Sequence, residues 1–264
     1  MSAYLYILFW VISFGASIAG AICGIGGGVI IKPVLDAFGV LSVSTISFLS
    51  SCTVLCMTCY SVIKGKMSGE SLIDMRTGTP LGIGAAIGGV AGKSMFQALS
   101  SMFADKDMVG AVQAACLLVI TLGTLIYTIK KDQVKTLQVE NAAACVVIGL
   151  VLGIFSSFLG IGGGPINLVV LFYFFSMDTK TAAQNSLYII LFSQITSLLN
   201  TLITRTVPDF SIGLLALMAV GGILGGMSGR VINKRIGAPV VDKLFIALMA
   251  VIIGINIYNI YQFM

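Results

Sequence analysis

The pentapeptide Gly-Ile-Gly-Gly-Gly occurs twice in this chain, at residues 24–28 and again at residues 160–164. Each copy follows a long apolar run, 3–22 or 142–158, and precedes a shorter one. A glycine inside a helix costs about 1 kcal/mol relative to alanine, so both pentapeptides are predicted to interrupt helices. In hydrocarbon, an interrupted helix leaves N–H and C=O groups that need protein, water or a polar ligand. The two interruptions therefore indicate a place where backbone meets a polar molecule.

Composition places the chain in a membrane. Of its 264 residues, 58% are hydrophobic and 9% are charged, whereas soluble domains carry roughly 25% charge. The mean hydropathy is +1.06. The opening run 3–22 lacks a basic segment before it, so it is predicted to be a retained helix and not a signal peptide. The net charge of +5 is spread over loops and indicates membrane topology, with no nucleic-acid partner.

The predicted fold is an all-α polytopic membrane protein that forms a single membrane domain over residues 1–264. Polar loops are predicted at 64–76 and 100–107, and the most polar stretch, 130–140, is the predicted hinge between two halves. Besides the two interrupted elements, the predicted spans are residues 43–63, 80–98, 109–129, 181–203, 210–232 and 244–264.

The two halves are predicted to be repeats, the first covering about residues 1–130 and the second about 141–264. Residues 88–93, Gly-Gly-Val-Ala-Gly-Lys, match residues 225–230, Gly-Gly-Met-Ser-Gly-Arg, at an offset of 137. The two pentapeptides are separated by 136, nearly the same offset. Self-similarity at one offset is typical of internal repeats.

The 15 lysines and arginines distinguish two topologies. If each interrupted element crosses the membrane once, the two sides carry eight and seven of these residues, which decides nothing. If each element is instead a hairpin that turns at the glycines, the counts become eleven and four. The positive-inside rule favours this second arrangement. It predicts two inverted repeats, each a glycine-broken hairpin plus three transmembrane helices, with both termini external.

The glycine breaks are the predicted substrate site. A helix that restarts after a break presents unpaired N–H groups and the positive end of its dipole. Interrupted helices in secondary transporters hold anionic groups in this way. The alternative is that the glycines serve only close helix crossing. Hydroxyls and amides on the following helices are added as hydrogen-bond donors, so the predicted substrate-binding residues are Gly24, Gly26, Gly27, Gly28, Ser47, Ser51, Gly160, Gly162, Gly163, Gly164, Asn167, Asn185 and Ser186.

Several single residues carry further expectations. Ser47 is aligned on Ser186 at an offset of 139. Lys32, about one turn past the first break, is expected to snorkel to the interface, with a role as counter-charge left open. Asp36 is expected at the edge of the membrane. Arg230, near a helix end, is expected to anchor to lipid headgroups.

The cysteines offer an alternative mechanism. The chain has six cysteines and no histidine, and cysteines in apolar runs usually act as small packing residues. Cys52, Cys56 and Cys59 nevertheless share one helix face, and Cys23 adjoins the first break. A thiol-dependent relay for a sulfur compound therefore stays open as an alternative. No metal site, cofactor or catalytic residue is predicted.

The repeated Gly-Ile-Gly-Gly-Gly, with Pro33 following in the first half and Pro165 in the second, resembles the TauE/SafE family of sulfite exporters. The resemblance covers essentially the whole chain. It implies movement of sulfite, sulfonates such as sulfoacetate or related organosulfur anions across the inner membrane of bacteria or archaea. It also implies that the glycines of 24–28 and 160–164 line the pathway.

The sequence thus predicts a secondary transporter, not an enzyme, that exports sulfite or a small organosulfur anion across the cell inner membrane. An anion channel is the alternative that the same site physics permits. The predicted partners are the anion and the lipid bilayer, and a homodimer is left open.

Overall fold

The computed structural model describes residues 3–102, 106–161 and 163–263, and within these ranges the chain is helical without any strand. The all-α prediction is confirmed. In chain order the helices are α1 (Ala3–Cys23), α2 (Gly28–Phe38), α3 (Val43–Met67), α4 (Met75–Met102), α5 (Lys106–Lys130), α6 (Ala142–Leu159), α7 (Pro165–Phe175), α8 (Thr179–Ile203), α9 (Ile212–Arg235) and α10 (Ala238–Phe263), with a 3-10 turn at Lys131–Gln133.

Seven of the described helices are long and apolar enough to cross a membrane, namely α1, α3, α5, α6, α8, α9 and α10. Helix α4 has 28 residues, which at 1.5 Å per residue is also long enough, but its glycines and polar residues lower its hydropathy. Helices α2 and α7 have 11 residues each and can only reach part of the way. The chain is a multi-pass membrane protein.

Two predicted loops are shorter than expected. The stretch 64–76 was predicted to be a loop, but α3 continues to Met67 and α4 already begins at Met75. Asp74 caps α4, because its carboxylate accepts hydrogen bonds from the Arg76 N–H at 2.9 Å and the Thr77 hydroxyl at 2.7 Å. Pro80 therefore lies in the second turn of α4. In the stretch 100–107, α4 continues to Met102 and α5 begins at Lys106, while 103–105 lie outside the described residues.

Two glycine stripes hold the first helix of each half against the other half. A Cβ added at Gly88 would lie 2.0 Å from the carbonyl oxygen of Leu150 in α6, and one at Gly225 would lie 2.4 Å from that of Phe14 in α1. Small residues permit such close approach of membrane helices. The stripes occupy matching positions at the offset of 137, with Gly84, Gly88 and Gly92 on α4 and Gly221, Gly225 and Gly229 on α9.

The same contacts give the directions of the helices. Helix α1 lies parallel to α9 along its whole length, since the Tyr6 hydroxyl meets the Ser211 hydroxyl at 3.1 Å and the Asn233 amide donates to the Ile22 carbonyl at 2.6 Å. Helix α3 also follows α9, while α6 and α8 both run alongside α4. The short connection 68–74 joins α3 to α4, so α1, α3 and α9 run in one direction and α4, α6 and α8 in the other.

Candidate functional site

Both pentapeptides interrupt helices as predicted. Helix α1 ends at Cys23 and α2 begins at Gly28, while α6 ends at Leu159 and α7 begins at Pro165. The interruptions need glycine, since Gly24 has φ +74° and Gly160 has φ +65°, a left-handed conformation that other residues adopt at a cost. We call residues 24–28 the first break and residues 160–164 the second break.

The two breaks touch each other in the interior of the bundle. A Cβ on Gly28 would lie 2.0 Å from the carbonyl oxygen of Ile161. The isoleucines of the two pentapeptides, Ile25 and Ile161, are fully buried in one hydrophobic cluster. The two breaks therefore meet, and the contact between them is close enough to exclude even a methyl group.

Each break also packs against the second turn of a long helix in the opposite half. Gly24 lies against Ala183 of α8, and Gly160 lies against Ser47 of α3. These contacts correspond at an offset of 136, which pairs Ser47 with Ala183 and Ser50 with Ser186. The predicted alignment of Ser47 on Ser186 at 139 is therefore wrong by one helical turn.

Among the predicted polar groups, three are buried without a hydrogen-bond partner in the described part of the chain: the hydroxyls of Ser47 and Ser186 and the amide oxygen of Asn167. Buried polar atoms normally have partners, so these atoms are available to a ligand or to water. Ser51 is also buried, at 7% exposure. The amide of Asn185, by contrast, is engaged in holding the segment 68–74, through bonds to the Leu72 carbonyl and the Asp74 N–H, both at 3.1 Å.

The remaining predicted site residues are backbone positions in the breaks. Gly163 has φ +119° and packs against Ile190 of α8. Gly26 has φ +70°, Gly27 precedes α2 in a right-handed helical conformation, and Gly164 precedes α7 with extended backbone. Gly162 was also predicted, and it lies outside the described residues.

A cavity of about 540 Å³ lies at one end of the bundle. It extends from the partly exposed side chains of Glu70 and Lys234 down to the buried residues Ala21, Ala183 and Leu187. Ala183 is the residue on which Gly24 packs, so the floor of the cavity adjoins the first break. We call this space the basal cavity.

Cations dominate the charged lining of the basal cavity. Lys180, Arg230 and Lys234 face a single carboxylate, that of Glu70. None of the described residues predicted to bind substrate lines the cavity, and sequence reasoning missed all three cations as site residues. Their positions are the signal that could have found them. Lys180 lies in the first turn of α8, and Arg230 and Lys234 lie in the last two turns of α9, at the same end of the bundle.

Glu70 is bound by two of these cations. Arg230 donates to its carboxylate at 3.3 Å and Lys234 also pairs with it. Arg230 further donates to the Ser68 hydroxyl at 2.8 Å and to the Ser61 carbonyl at 3.1 Å. Its predicted role as a headgroup anchor is therefore wrong, because the guanidinium holds the segment 68–74 across the mouth of the cavity.

These contacts predict that acid weakens the attachment of the segment 68–74 to α9. The hydrogen bond from Lys234, followed by that of Ser68, lowers the pKa of Glu70 below its ordinary value. A carboxylate whose pKa is lowered by folding stabilises its contacts above its ordinary pKa, and the contribution is lost as the pH falls through the lowered value. We expect the segment 68–74 to stay protected from hydrogen exchange at neutral pH and to lose part of that protection in acid, as the pH falls through the lowered pKa of Glu70.

Hydrogen exchange of this segment, measured against pH, checks that expectation. Glu70→Gln serves as the control: it keeps the bonds from Asn185 and Arg230 to the segment but lacks the carboxylate, so it should show the reduced protection at every pH. Equal protection of the segment in the wild type and in Glu70→Gln would show that the carboxylate does not hold it.

A second charged pair lies within α2. Lys32 and Asp36 form an ion pair at 2.6 Å, with side-chain exposures of 4% each. The expectation that Lys32 snorkels to the interface is wrong, because neighbouring helices enclose it. The expectation that Asp36 lies at the edge of the membrane stays a prediction. The spacing of four residues is the sequence signal that could have paired them.

The cysteines are all free. Cys23 is 1% exposed, whereas Cys52, Cys56 and Cys59 are half-buried on α3. In the described part of the chain, no group of three or more cysteine or acidic residues is arranged to hold a metal ion.

The fold and this site define a class of protein: a polytopic α-helical membrane protein with two interrupted helices that meet in its interior and a cationic cavity beside one of them. The chain belongs to the TauE/SafE family, since the family described as sulfite exporter TauE/SafE matches residues 9–257. This is a family of membrane transporters. The predicted membership is confirmed.

Comparison with curated proteins gives a more distant likeness. The chain is 27% identical over 155 residues to a probable membrane transporter protein of Haemophilus influenzae. The matched region covers 54% of this chain and 57% of that relative, so the chain spans little more than half of the relative's length. No solved structure matches the chain.

Proposed function

We propose that this protein is a secondary transporter that exports sulfite or a small organosulfur anion across the cell inner membrane. The observation that carries the proposal is the basal cavity, where three cations face one carboxylate above a floor that adjoins the first break. A cavity lined by an excess of one charge concentrates the opposite charge. Its size, about 540 Å³, is suited to a small ligand with its water.

Alternating access follows from the arrangement of the two halves. The halves are inferred to be inverted repeats. Helices α1 and α6 occupy corresponding positions, because each packs on a glycine stripe of the other half, but they run in opposite directions. The three cations of the basal cavity, Lys180, Arg230 and Lys234, belong to the lysine- and arginine-rich side, which the positive-inside rule assigns to the cytoplasm. The conformation described here then has its cavity open to the cytoplasm, with both termini external. Transport would require one half to rock against the other around the two breaks.

The closed contact between the breaks supports a carrier over an anion channel. Gly28 and Ile161 lie too close for any solute to pass between them, so an anion in the basal cavity needs a conformational change to proceed. Catalysis and a thiol relay have weaker support. Cys23 is buried, and none of the six cysteines lines the basal cavity.

A binding screen tests the proposal. Purified protein would be titrated calorimetrically with sulfite, thiosulfate, sulfoacetate, sulfolactate and taurine. We expect saturable binding of sulfite or a sulfonate, followed by saturable flux of the same anion in proteoliposomes. A variant with all six cysteines replaced by serine or alanine should transport equally well. Absence of binding for every anion would contradict the proposal, whereas loss of flux only in the cysteine-free variant would establish the thiol relay instead.

A further inference from the structure

Helix α2 carries a buried cation and a buried carboxylate that have no role in the transport cycle proposed above. Lys32 is 3% exposed and Asp36 is 4% exposed, and they pair at 2.6 Å. A charged side chain inside a membrane is costly and normally serves a function. Replacing such a pair by apolar residues is often neutral or stabilising, so stability alone does not account for it.

The lysine lies at the second break. The Lys32 Cε is 3.6 Å from the position that a Cβ would occupy at Gly160, and the Ser47 hydroxyl is 2.7 Å from the same position. The hydroxyl of Ser47 has no hydrogen-bond partner among the described residues and is 2% exposed. A buried cation and a buried unpaired donor thus converge on one glycine, whose missing side chain lets Ser47 approach the backbone of the second break.

The carboxylate is only half satisfied. Asp36 Oδ2 accepts from Lys32, while Oδ1 has no partner in the described part of the chain. On the neighbouring α10, the Asn259 amide donates to the Pro33 carbonyl at 2.9 Å, and its own oxygen is also unpaired. An aspartate with an unpaired oxygen is favourably placed to carry a proton, because the protonated acid can donate where the carboxylate cannot.

No other described charge competes for the pair. Among the helices that pack on α2, α1 contains no charged residue, α3 has none before Lys64, and α10 carries Asp242 and Lys243 at its opposite end. Of the tyrosines on these helices, Tyr6 is bonded to Ser211, and Tyr4, Tyr258 and Tyr261 are largely exposed. Tyr60 lies one helical turn before Lys64 on α3.

We propose that Lys32 is the charge partner of the transported anion at the second break, and that Asp36 is its internal competitor, which takes up a proton when the anion replaces it. The proton comes from solvent and ends on the Asp36 carboxylate. When the anion leaves, Asp36 loses the proton and recovers Lys32. Binding and release of the anion thereby avoid any step with a lone buried charge, which would be strongly unfavourable.

The exchange has consequences for transport. An exported dianion accompanied by one proton still carries one net negative charge outward, and the inside-negative membrane potential favours that movement. Anion affinity should rise as the pH falls, because acid protonates the competitor. This inference rests on the proposed function, since it names a residue that would bind the transported anion beyond the basal cavity.

Three variants test the exchange in purified full-length protein, with calorimetric titration of sulfite, and of sulfoacetate, across a range of pH. Asp36→Asn should bind the anion about tenfold more tightly at neutral pH and lose the dependence on pH. Lys32→Gln combined with Asp36→Asn replaces the pair by neutral side chains of similar shape, so it should fold and melt near the wild type but bind at least about tenfold more weakly. Lys64→Gln removes an exposed cation of α3 and should change neither property.

The outcomes separate the two proposals. If the double variant binds sulfite or sulfoacetate with wild-type affinity and wild-type pH dependence, the exchange is wrong and the transporter proposal stands. If the wild type binds neither anion at any pH, both proposals fail. A melting temperature of Asp36→Asn that drops without anion and recovers with it would support the exchange, because Lys32 is then the unpaired charge.

Discussion

Replacing Gly28 by alanine is expected to destabilise the protein by about 3 kcal/mol or more and to abolish transport. The added Cβ would lie 2.0 Å from the carbonyl oxygen of Ile161 and 3.0 Å from a methyl group of Val54. The methyl group can rotate away, but the carbonyl oxygen belongs to the second break and cannot. The two breaks would have to separate, and the contact that positions the short helices α2 and α7 would be lost.

Two milder glycine variants make this prediction specific. At Gly164 the backbone is extended, and the nearest atom to an added Cβ is the mobile Cδ1 of Ile161 at 3.1 Å, so Gly164→Ala should fold. At Gly123 of α5, nothing lies within 4 Å, and Gly123→Ala should be neutral or slightly stabilising. Thermal unfolding in detergent and flux in proteoliposomes measure all three. A Gly28→Ala variant that matches Gly123→Ala in both would contradict the described contact between the breaks.

The sequence predicted the interrupted helices because glycine acts locally. Gly24 and Gly160 adopt left-handed conformations that no neighbouring residue has to specify, so the pentapeptides could be interpreted in isolation. The ends of the spans were harder to predict. Lys64 and Lys66 are polar but lie in the last turn of α3, since a helix can continue past the hydrocarbon into the polar interface. Hydropathy alone does not distinguish such a turn from a loop.

The site was predicted only in part, because its charges come together through packing between the halves. Arg230 and Lys180 lie on different helices of the second half, and Glu70 lies in a connection of the first. No spacing in the sequence brings them together. The pairing of Lys32 with Asp36 is different, because four residues on a helix place both on one face. What the sequence could not show is that this face is enclosed by α10 and the second break.

The charges of the basal cavity lead to two expected changes of opposite sign. Arg230→Gln with Lys234→Gln removes two of the three cations, and anion affinity should fall about tenfold or more, since hydrogen bonds to charged groups contribute about 1.5–3 kcal/mol each. Glu70→Gln removes the carboxylate that these cations now hold. The two cations are then free for the anion, and affinity should rise.

Calorimetric titration of sulfite at two salt concentrations measures both effects. Lys130→Gln is the matched control, because Lys130 is an exposed cation at the end of α5 that lies outside the lining of the cavity. It should leave affinity unchanged. Wild-type affinity should fall as salt is added, since ions screen an exposed attraction, and the double variant should show a smaller dependence. If Glu70→Gln also lowers affinity, its carboxylate does not compete with the anion, and the segment 68–74 instead shapes the cavity by its position. Opposite shifts would mean that Glu70 occupies, with its own carboxylate, the place that the transported anion takes.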